Sequence, residues 1–432
     1  MASSFDCLSV RPERALLDTC MTQQTVVIIG AGQAGLQVVA TLREGRYEGR
    51  LVLVGDEPHA PYQRPPLSKG YLLGETPLEQ VMLRPAQFFS QHAIELIQGK
   101  RAISVDRASR RVRFEDAFEL EYDHLVLATG ARNRPLQVPG ADLQNVFYLR
   151  GLEEARALKA QLVAGKRVVV IGAGFIGLEF AASAIKHGLD VTVLDVADRP
   201  MARAVSRTMS AIFAREHAKL GMKLRFNTQV ARLLGERGQV HAVETVEGQL
   251  LPADLVVIGI GVLPNVELAA GCQLTVDDGI VVDELMQTCD SNISAIGDVA
   301  AHVSAYSYGQ RVRLESVQNA VDQARCVAAR ILGKAATYQA VPWFWSHQGP
   351  LALQMTGLPS LQCDEVVRGD PSGTACSVFS FHAGQLAYVE SLNRAGDHIL
   401  SRRLLGSRIA LTPEQAADPG FELKSLLARA AR

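Results

Sequence analysis

Two glycine-rich turns contain the residues of this chain whose types and spacing most clearly predict chemistry. The first holds Gly30, Gly32 and Gly35, and Asp56 ends the next apolar run. In such a turn the first glycine permits the tight bend, the second lets the backbone approach a pyrophosphate, and the third allows close helix–strand packing. The helix N-terminus offers free N–H groups to the phosphates, and the carboxylate accepts hydrogen bonds from a ribose. These residues predict a dinucleotide site.

The second turn repeats the arrangement with Gly172, Gly174 and Gly177, and its acidic partner is Asp195. A carboxylate at this position bonds the ribose hydroxyls and repels a 2′-phosphate, so it favours NADH over NADPH. Arg199, four residues later, is the one feature that favours NADPH. We expect the aspartate to outweigh it.

The elements that position both turns form an internal repeat. Residues 25–35 read TVVIIGAGQAG and residues 167–177 read RVVVIGAGFIG. Each is a β-branched run, a glycine turn and an amphipathic pattern of helical period, followed by an apolar run that ends in the acidic residue. Two copies of this βαβ pattern predict two nucleotide-binding folds in one chain. Further strand-like runs lie around 222–226, 238–246 and 254–261.

The character of the sequence changes at about residue 337. Short alternating runs predict antiparallel strands, and helical patterns follow near 398–406 and 412–430. The predicted fold class is α/β, with two Rossmann-like domains and a smaller C-terminal α+β domain. The predicted divisions are a disordered leader at 1–24, a discontinuous first domain at 25–131 and 263–336, a second domain at 132–262, and a C-terminal domain at 337–432. Met21 is the suspected natural start.

Composition excludes several classes of function. Lys plus Arg number 44 against 45 Asp plus Glu, so no global basic field favours nucleic acid. No stretch has the length of a membrane helix, and the first residues lack the apolar core of a signal peptide. We therefore expect a soluble, cytoplasmic protein. The seven cysteines include no C-x-x-C pair, which argues against a metal site or a redox dithiol.

Several longer strings carry a resemblance to a known family. They are DEPHAPYQRPPLSKGYL (56–72), LVLATGARNRPL (125–136), GFIGLE, AIGDVA, ESVQNA and PWFWS. In combination they resemble flavoprotein reductases with two dinucleotide domains, and most closely the FAD-dependent, NADH-oxidising ferredoxin reductases that serve bacterial oxygenases (the putidaredoxin-reductase type). The resemblance runs from residue 25 to about residue 425.

This resemblance implies roles for individual residues. It places FAD on the first turn, with Arg64 and Lys69 alongside, and the second turn then takes NADH. The family's carboxylate falls on Glu179, which would pair with Lys69 beside the hydride-accepting nitrogen of the flavin. The other implied FAD contacts are Asp298 at the ribityl chain, the helix N-terminus near Ser316 and Val317, and Trp345. His347 stands where the family commonly has aspartate; it would either titrate near the flavin or face outward, and we favour the second.

The chain has no cysteine between Cys20 and Cys272, which excludes disulfide-reductase chemistry at the usual position. It also lacks the cysteine cluster of an iron–sulfur centre. The resemblance implies that electrons from NADH leave FAD singly for a 2Fe–2S ferredoxin, which supplies a monooxygenase or a ring-hydroxylating dioxygenase. Candidate docking residues for an acidic ferredoxin are Arg311, Arg313, Arg402 and Arg403.

Other interpretations stay open at this point. The acceptor could instead be rubredoxin, a quinone or dioxygen. A redox-sensing or nucleic-acid-binding flavoprotein is disfavoured by the balanced charge. We expect a monomer or a weak dimer.

Overall fold

The computed structural model describes residues 24–359 and 363–430. The predicted leader, with the suspected start at Met21, lies outside the described residues except for Gln24. Within the described part of the chain, no helix is long and apolar enough to cross a membrane.

Twenty-six short strands alternate with eleven helices over the described ranges. The strands of the first third are β1 (Val26–Ile29), β2 (Leu51–Val54), β3 (Ile94–Ile97), β4 (Ala102–Asp106), β5 (Arg111–Phe114), β6 (Glu119–Glu121), β7 (His124–Leu127), β8 (Ala131–Asn133) and β9 (Val146–Tyr148). Those of the middle are β10 (Arg167–Ile171), β11 (Asp190–Leu194), β12 (Lys223–Arg225), β13 (Val230–Glu236), β14 (Gln239–Thr245), β15 (Leu250–Pro252), β16 (Leu255–Ile258) and β17 (Val262–Pro264). The remainder are β18 (Ile280–Val281), β19 (Ile293–Ala295), β20 (Ala300–Val303), β21 (Arg311–Arg313), β22 (Trp343–Gln348), β23 (Leu351–Gly357), β24 (Asp364–Asp370), β25 (Ala375–His382) and β26 (Gln385–Leu392). The helices are α1 (Gln33–Glu44), α2 (Leu78–Val81), α3 (Gln87–Gln91), α4 (Leu152–Lys159), α5 (Phe175–Lys186), α6 (Arg207–Lys219), α7 (Glu267–Gly271), α8 (Val317–Ile331), α9 (Ala395–Gly406), α10 (Pro413–Ala417) and α11 (Leu423–Ala430).

The first unit is a five-stranded parallel sheet in the order β19-β7-β1-β2-β3. All four residues of β1 are buried, as expected for a central parallel strand covered on both faces. Helices α1 and α8 pack together beside the sheet. The fifth strand, β19, comes from far along the chain and pairs with β7 at the edge of this sheet.

The second unit is a five-stranded parallel sheet in the order β12-β11-β10-β16-β9. Strands β12 and β16 of this sheet, and β14 of a neighbouring antiparallel sheet, fall within the three runs predicted from the sequence. Helix α5 follows β10 directly, as α1 follows β1, which confirms the internal repeat. Two three-stranded antiparallel sheets, β4-β5-β6 and β13-β14-β15, extend the two units.

The C-terminal part is the antiparallel sheet β22-β23-β26-β25-β24 with α9, α10 and α11. The predicted antiparallel strands and the helix near 398–406 are confirmed. The single helical pattern predicted over 412–430 is wrong in one respect, because α10 ends at Ala417 and α11 begins at Leu423. Pro419 disfavours helical geometry at Asp418, whose backbone is extended. The buried Arg368 guanidinium donates to the carbonyl oxygens of Pro419 and Phe421 at 3.2 and 2.9 Å.

The domain boundaries stay predictions. Tyr338, on the C-terminal side of the boundary at 337, is buried in the core of the first unit, and its N–H donates to Glu284 O at 2.7 Å.

Candidate active site at the junction of the two units

The two glycine turns have the same local geometry. Gly30 and Gly172 have φ values of +118° and +108°, a region that side chains rarely adopt. A Cβ on Gly30 would lie 2.1 Å from Ala128 O, and one on Gly172 would lie 2.4 Å from Gly259 O. The first glycine of each turn is therefore required by the backbone itself.

The third glycines allow close packing, and the second glycines face open space. A Cβ on Gly35 or Gly177 would lie 2.0 or 2.1 Å from the carbonyl oxygen of the first glycine in its own turn. A Cβ on Gly32 would meet nothing within 4 Å, and one on Gly174 would come no nearer than 3.9 Å to Gly259 O. The free backbone at these two positions fits the approach of a pyrophosphate.

The acidic partners of the two turns differ in exposure. Asp56 is exposed, whereas Asp195 is partly buried. The Asp195 carboxylate accepts hydrogen bonds from Ala173 N at 2.6 Å and Ala197 N at 2.8 Å, so it is fixed against the second turn. The Arg199 guanidinium donates to the carbonyl oxygens of Ala202 and Val205, both at 2.8 Å. This arginine thus braces its own loop, which weakens the one feature favouring NADPH.

The structure brings Lys69 and Glu179 together at the junction of the two units. Lys69 follows a 3-10 turn over Pro65–Ser68 in the first unit, and Glu179 lies on α5 of the second. Lys69 Nζ is 2.5 Å from Glu179 Oε2, and the Glu179 side chain is only 2% exposed. A pair of solvated surface charges is thereby excluded. Burial of the Glu179 carboxylate strengthens the electrostatic effect of the pair on nearby reacting groups, because less water screens it.

Two serines complete the surroundings of this carboxylate. Ser68 Oγ donates to Glu179 Oε2 at 2.6 Å, and Ser346 Oγ donates to Glu179 Oε1 at 2.7 Å. Both serines are buried. The sequence did not single them out, because a serine beside a lysine or in a tryptophan-rich string carries no distinctive signal until the chain is folded.

Arg64 and Asp298 lie at the same junction and share a partner, Arg150. Arg64 Nη1 donates to Arg150 O at 3.0 Å, and Arg150 Nη2 is 3.0 Å from Asp298 Oδ2. Arg64 also bonds Glu57 Oε1 at 2.5 Å. Although burial acts in the opposite direction, Arg64 and the Tyr62 hydroxyl hold the pKa of Glu57 below its usual value. Arg150 was missed from the sequence, since it lies in no motif.

The helix predicted at ESVQNA is confirmed. Ser316 is the N-cap of α8, and its Oγ accepts from Asn319 N at 3.1 Å. Val317 is the first helical residue, so it lies at the positive end of the helix dipole.

Trp345 lies on β22, and its ring centroid is 5.3 Å from that of Trp343. His347 is exposed on the same strand, next to the buried Ser346 and Gln348. The outward orientation favoured for His347, away from the flavin, stays a prediction.

The four candidate docking arginines fall into two groups. Arg311 pairs with Asp277, and the Arg313 side chain is only 9% exposed and pairs with Glu315 at 2.7 Å. Arg402 instead lies over the Trp343 ring at 4.8 Å, and Arg403 is exposed beside it. No group of His, Cys, Asp and Glu side chains in the described ranges is arranged to hold a metal ion.

Two family models match the chain. Residues 24–324 match the family described as pyridine nucleotide-disulphide oxidoreductase, and residues 343–427 match the one described as reductase C-terminal. Among the most similar curated proteins, rhodocoxin reductase of Rhodococcus erythropolis is 51% identical over 94% of this chain and 95% of its own length. Putidaredoxin reductase of Pseudomonas putida is 40% identical over 94% of this chain and 97% of its own.

Solved structures agree with these matches. The ferredoxin reductase for the CYP199A2 system of Rhodopseudomonas palustris has a TM-score of 0.91 and 48% identity, covering 93% of this chain and 99% of that one. The covalent putidaredoxin reductase–putidaredoxin complex gives a TM-score of 0.92 and 40% identity, covering 94% and 99%. This chain therefore belongs to the pyridine nucleotide-disulphide oxidoreductases, within the branch of the rhodocoxin and putidaredoxin reductases, and it is an oxidoreductase that uses FAD and NADH.

Proposed function

We propose that this protein takes hydride from NADH onto FAD and passes the electrons singly to a 2Fe–2S ferredoxin of an oxygenase system. The observation that carries the proposal is the ion pair between the partly exposed Lys69 and the buried Glu179, which occupies the junction of the two nucleotide-binding units. No cysteine lies between Cys20 and Cys272, so the chain has no thiol in this segment to receive the electrons. An acceptor outside the chain is required.

The site residues divide by cofactor. FAD is held by the first turn, with Gly32 open to its pyrophosphate and Asp56 at a ribose. Arg64, Lys69, Asp298, Val317 and Trp345 surround the rest of the molecule, as the family resemblance implies. NADH is held by Gly172, Gly174, Gly177 and Asp195. Bound FAD supplies the conversion of a two-electron donor into one-electron steps, which side chains alone do not provide.

The side chains at the junction of the two units orient the bound coenzyme and cofactor and stabilise the charge that moves between them. Lys69 and Glu179 present a fixed charge pair where the coenzyme of the second unit meets the cofactor of the first. A preorganised pair costs no reorganisation when charge moves during hydride transfer. The N-terminus of α8, capped by Ser316, presents a positive dipole end that favours negative charge on a group bound in front of it.

The ferredoxin assignment is supported by the similarity to putidaredoxin reductase in its covalent complex with putidaredoxin. The test is an anaerobic titration of the flavin-loaded protein with NADH, followed by a 2Fe–2S ferredoxin or, separately, a rubredoxin. We expect NADH to bleach the flavin absorbance and the ferredoxin alone to restore it rapidly. Rapid restoration by rubredoxin alone would contradict the acceptor, and an absence of bleaching would contradict the whole proposal. A cytoplasmic location stays a prediction.

Arg402 and Arg403 are the stronger docking candidates, because Arg402 covers Trp343, whose ring contacts that of Trp345. We expect the double substitution Arg402→Gln and Arg403→Gln to slow ferredoxin reduction about tenfold while ferricyanide reduction is unchanged. The matched pair Arg311→Gln and Arg313→Gln should have a smaller effect, since both arginines are already paired with carboxylates. Equal losses with both acceptors would remove the docking role.

A further inference from the structure

A chain of buried polar side chains leads away from the Lys69–Glu179 pair into the protein. Ser346 Oγ donates to Glu179 Oε1 at 2.7 Å, and Gln348 Nε2 donates to Ser346 Oγ at 3.1 Å. Gln348 Oε1 lies 2.7 Å from His217 Nε2. Ser346, Gln348 and His217 are all fully buried. We call these three residues the support chain.

The direction of each hydrogen bond in the support chain is fixed by chemistry. An ionised carboxylate only accepts, so the Ser346 hydroxyl must donate to Glu179. The hydroxyl oxygen then accepts from the Gln348 amide, whose own oxygen accepts from His217 Nε2–H. This order requires a proton on His217 Nε2, and burial lowers the pKa of His217, which favours the neutral ring in that tautomer. One continuous set of bonds therefore ends on the catalytic carboxylate.

The two oxygens of Glu179 have different partners. Oε2 accepts from Lys69 and Ser68, which belong to the first unit, and Oε1 accepts from Ser346, on β22 of the C-terminal sheet. Because Ser346 holds Oε1 while Lys69 and Ser68 hold Oε2, both oxygens have fixed positions and the plane of the carboxylate cannot rotate. Without the Ser346 bond, the group could turn about its bond to Lys69.

The two faces of strand β22 carry different groups of side chains. Its inward residues Ser346 and Gln348 belong to the support chain, and Trp345 lies between Trp343 and the exposed His347 on the other face. The C-terminal sheet is consequently part of the arrangement around Glu179, in addition to covering the junction.

We propose that Ser346 is a positioning residue for hydride transfer, which fixes the Glu179 carboxylate through Oε1 and is itself held by Gln348 and His217. This proposal rests on the proposed function, because it assigns Ser346 a part in the NADH-dependent step. It also means that the C-terminal domain contributes to oxidation of NADH as well as to electron delivery.

The test is rapid-mixing reduction of the flavin-loaded Ser346→Ala protein by NADH, with His347→Ala as the matched control on the other face of the strand. We expect the limiting rate of flavin reduction to fall about tenfold in Ser346→Ala, the loss that follows removal of one hydrogen bond to a charged group. The control should keep the normal rate. Ser346→Thr, which restores the hydroxyl, should recover most of it.

A second measurement separates positioning from a general structural effect. Equilibrium titration of the oxidised protein with NAD⁺ should give a dissociation constant within about threefold of the unchanged protein, because the lost interaction acts mainly in the transition state. Gln348→Met, which acts from the far side of Ser346, should lower the reduction rate in the same direction but less. Loss of NAD⁺ binding in parallel with the rate would contradict the positioning role.

A double-mutant cycle then tests the route through Glu179. In a Glu179→Gln background, Ser346→Ala should cause little further loss, because its effect passes through the carboxylate. Equal losses in both backgrounds, or an unchanged rate in Ser346→Ala, would overturn the proposal. If the unchanged protein itself is not reduced by NADH, the proposed function fails instead.

Discussion

The two nucleotide-binding units share a parallel sheet and a glycine turn but differ in what covers the helix that follows the turn. In the first unit, α1 packs on α8 and keeps polar residues such as Gln37 partly exposed. In the second, α5 lies against β22 and the Pro65–Ser68 turn, and the equivalent position, Glu179, is buried. Each acidic or amide residue stands five positions after the second glycine of its turn. The repeat places a polar residue at the same position in both units, but only the surroundings of Glu179 bury it beside a lysine, which makes the second copy the candidate for a catalytic role.

The largest expected difference between the units follows from their second glycines. Alanine at Gly32 or Gly174 meets no close contact and needs no unusual backbone angle, so both variants should fold. We expect Gly32→Ala to be purified with little flavin, as shown by its visible absorbance. Gly174→Ala should keep its flavin and raise the KM for NADH by more than about tenfold, a cost of about 1.4 kcal/mol or more. If Gly174→Ala lost the flavin and Gly32→Ala raised the KM for NADH, the first turn would bind NADH and the second would bind FAD, which would contradict the assignment.

Glu179 and Gln37 provide the next comparison. We expect Glu179→Gln to retain FAD and to slow its reduction by NADH about 100-fold, the effect of removing one preorganised electrostatic group from an active site. Gln37→Ala should change the rate less than about threefold, as surface substitutions usually do. Single-turnover absorbance of the flavin measures both. Similar rates for the two variants would show that burial of the second helix has no catalytic consequence.

A moderate difference is expected at the acidic residues. Asp195→Ser removes the carboxylate that bonds the ribose hydroxyls of NADH, so the KM for NADH should rise about tenfold. The same change removes the repulsion of a 2′-phosphate, so the preference for NADH over NADPH should become smaller. Asp56→Ser should leave both coenzyme KM values unchanged and weaken retention of FAD. Steady-state kinetics with ferricyanide and the two coenzymes distinguishes these results. An unchanged coenzyme preference in Asp195→Ser would assign the selectivity to other residues.

The smallest expected effect concerns how the second unit is joined to the C-terminal sheet. The buried Glu390 carboxylate accepts from Ser206 N at 2.7 Å and from Ser206 Oγ at 2.5 Å, at the N-cap of α6. Burial, opposed by these two bonds and reinforced by the charge of Glu365, raises the pKa of Glu390 to about 7.

The folded protein binds a proton at Glu390 more tightly than the unfolded chain does. The resulting contribution to the free energy of unfolding is therefore at its full value below the usual pKa of a glutamate. This contribution is lost as the pH rises through the folded-state pKa of Glu390, at about 7. Melting temperatures measured from pH 5 to pH 8 should therefore fall in the unchanged protein and fall less in Glu390→Gln. Parallel profiles would contradict this assignment.

The repeat and the cofactor turns could be predicted from the sequence because each depends on a few adjacent residues. Gly30 and Gly172 are required by local backbone geometry, and β-branched runs identify their strands. Lys69 and Glu179, in contrast, became candidates only through the family resemblance, since their distance in sequence says nothing of a contact.

Ser346, Gln348, His217 and Arg150 could not be predicted. Their partners come from separate parts of the chain, and a single polar residue within a strand, a helix or a bend carries no periodic signal. The division of residues 412–430 into two helices was missed for a different reason. It depends on Pro419, whose local effect is strengthened by carbonyl bonds to the distant Arg368.

The late position of β19 has a consequence for biosynthesis. The first sheet pairs β7 with β19, and α1 packs on α8, so its core is incomplete until about residue 331 has been made. The strands of the second sheet all lie between Val146 and Ile258. During translation the strands of the second sheet can thus pair first, while β1, β2 and β7 wait roughly 10–40 s for the 200 or so residues from β7 to the end of α8 at ordinary ribosome speeds. Chaperone dependence should accordingly be concentrated in the N-terminal segment.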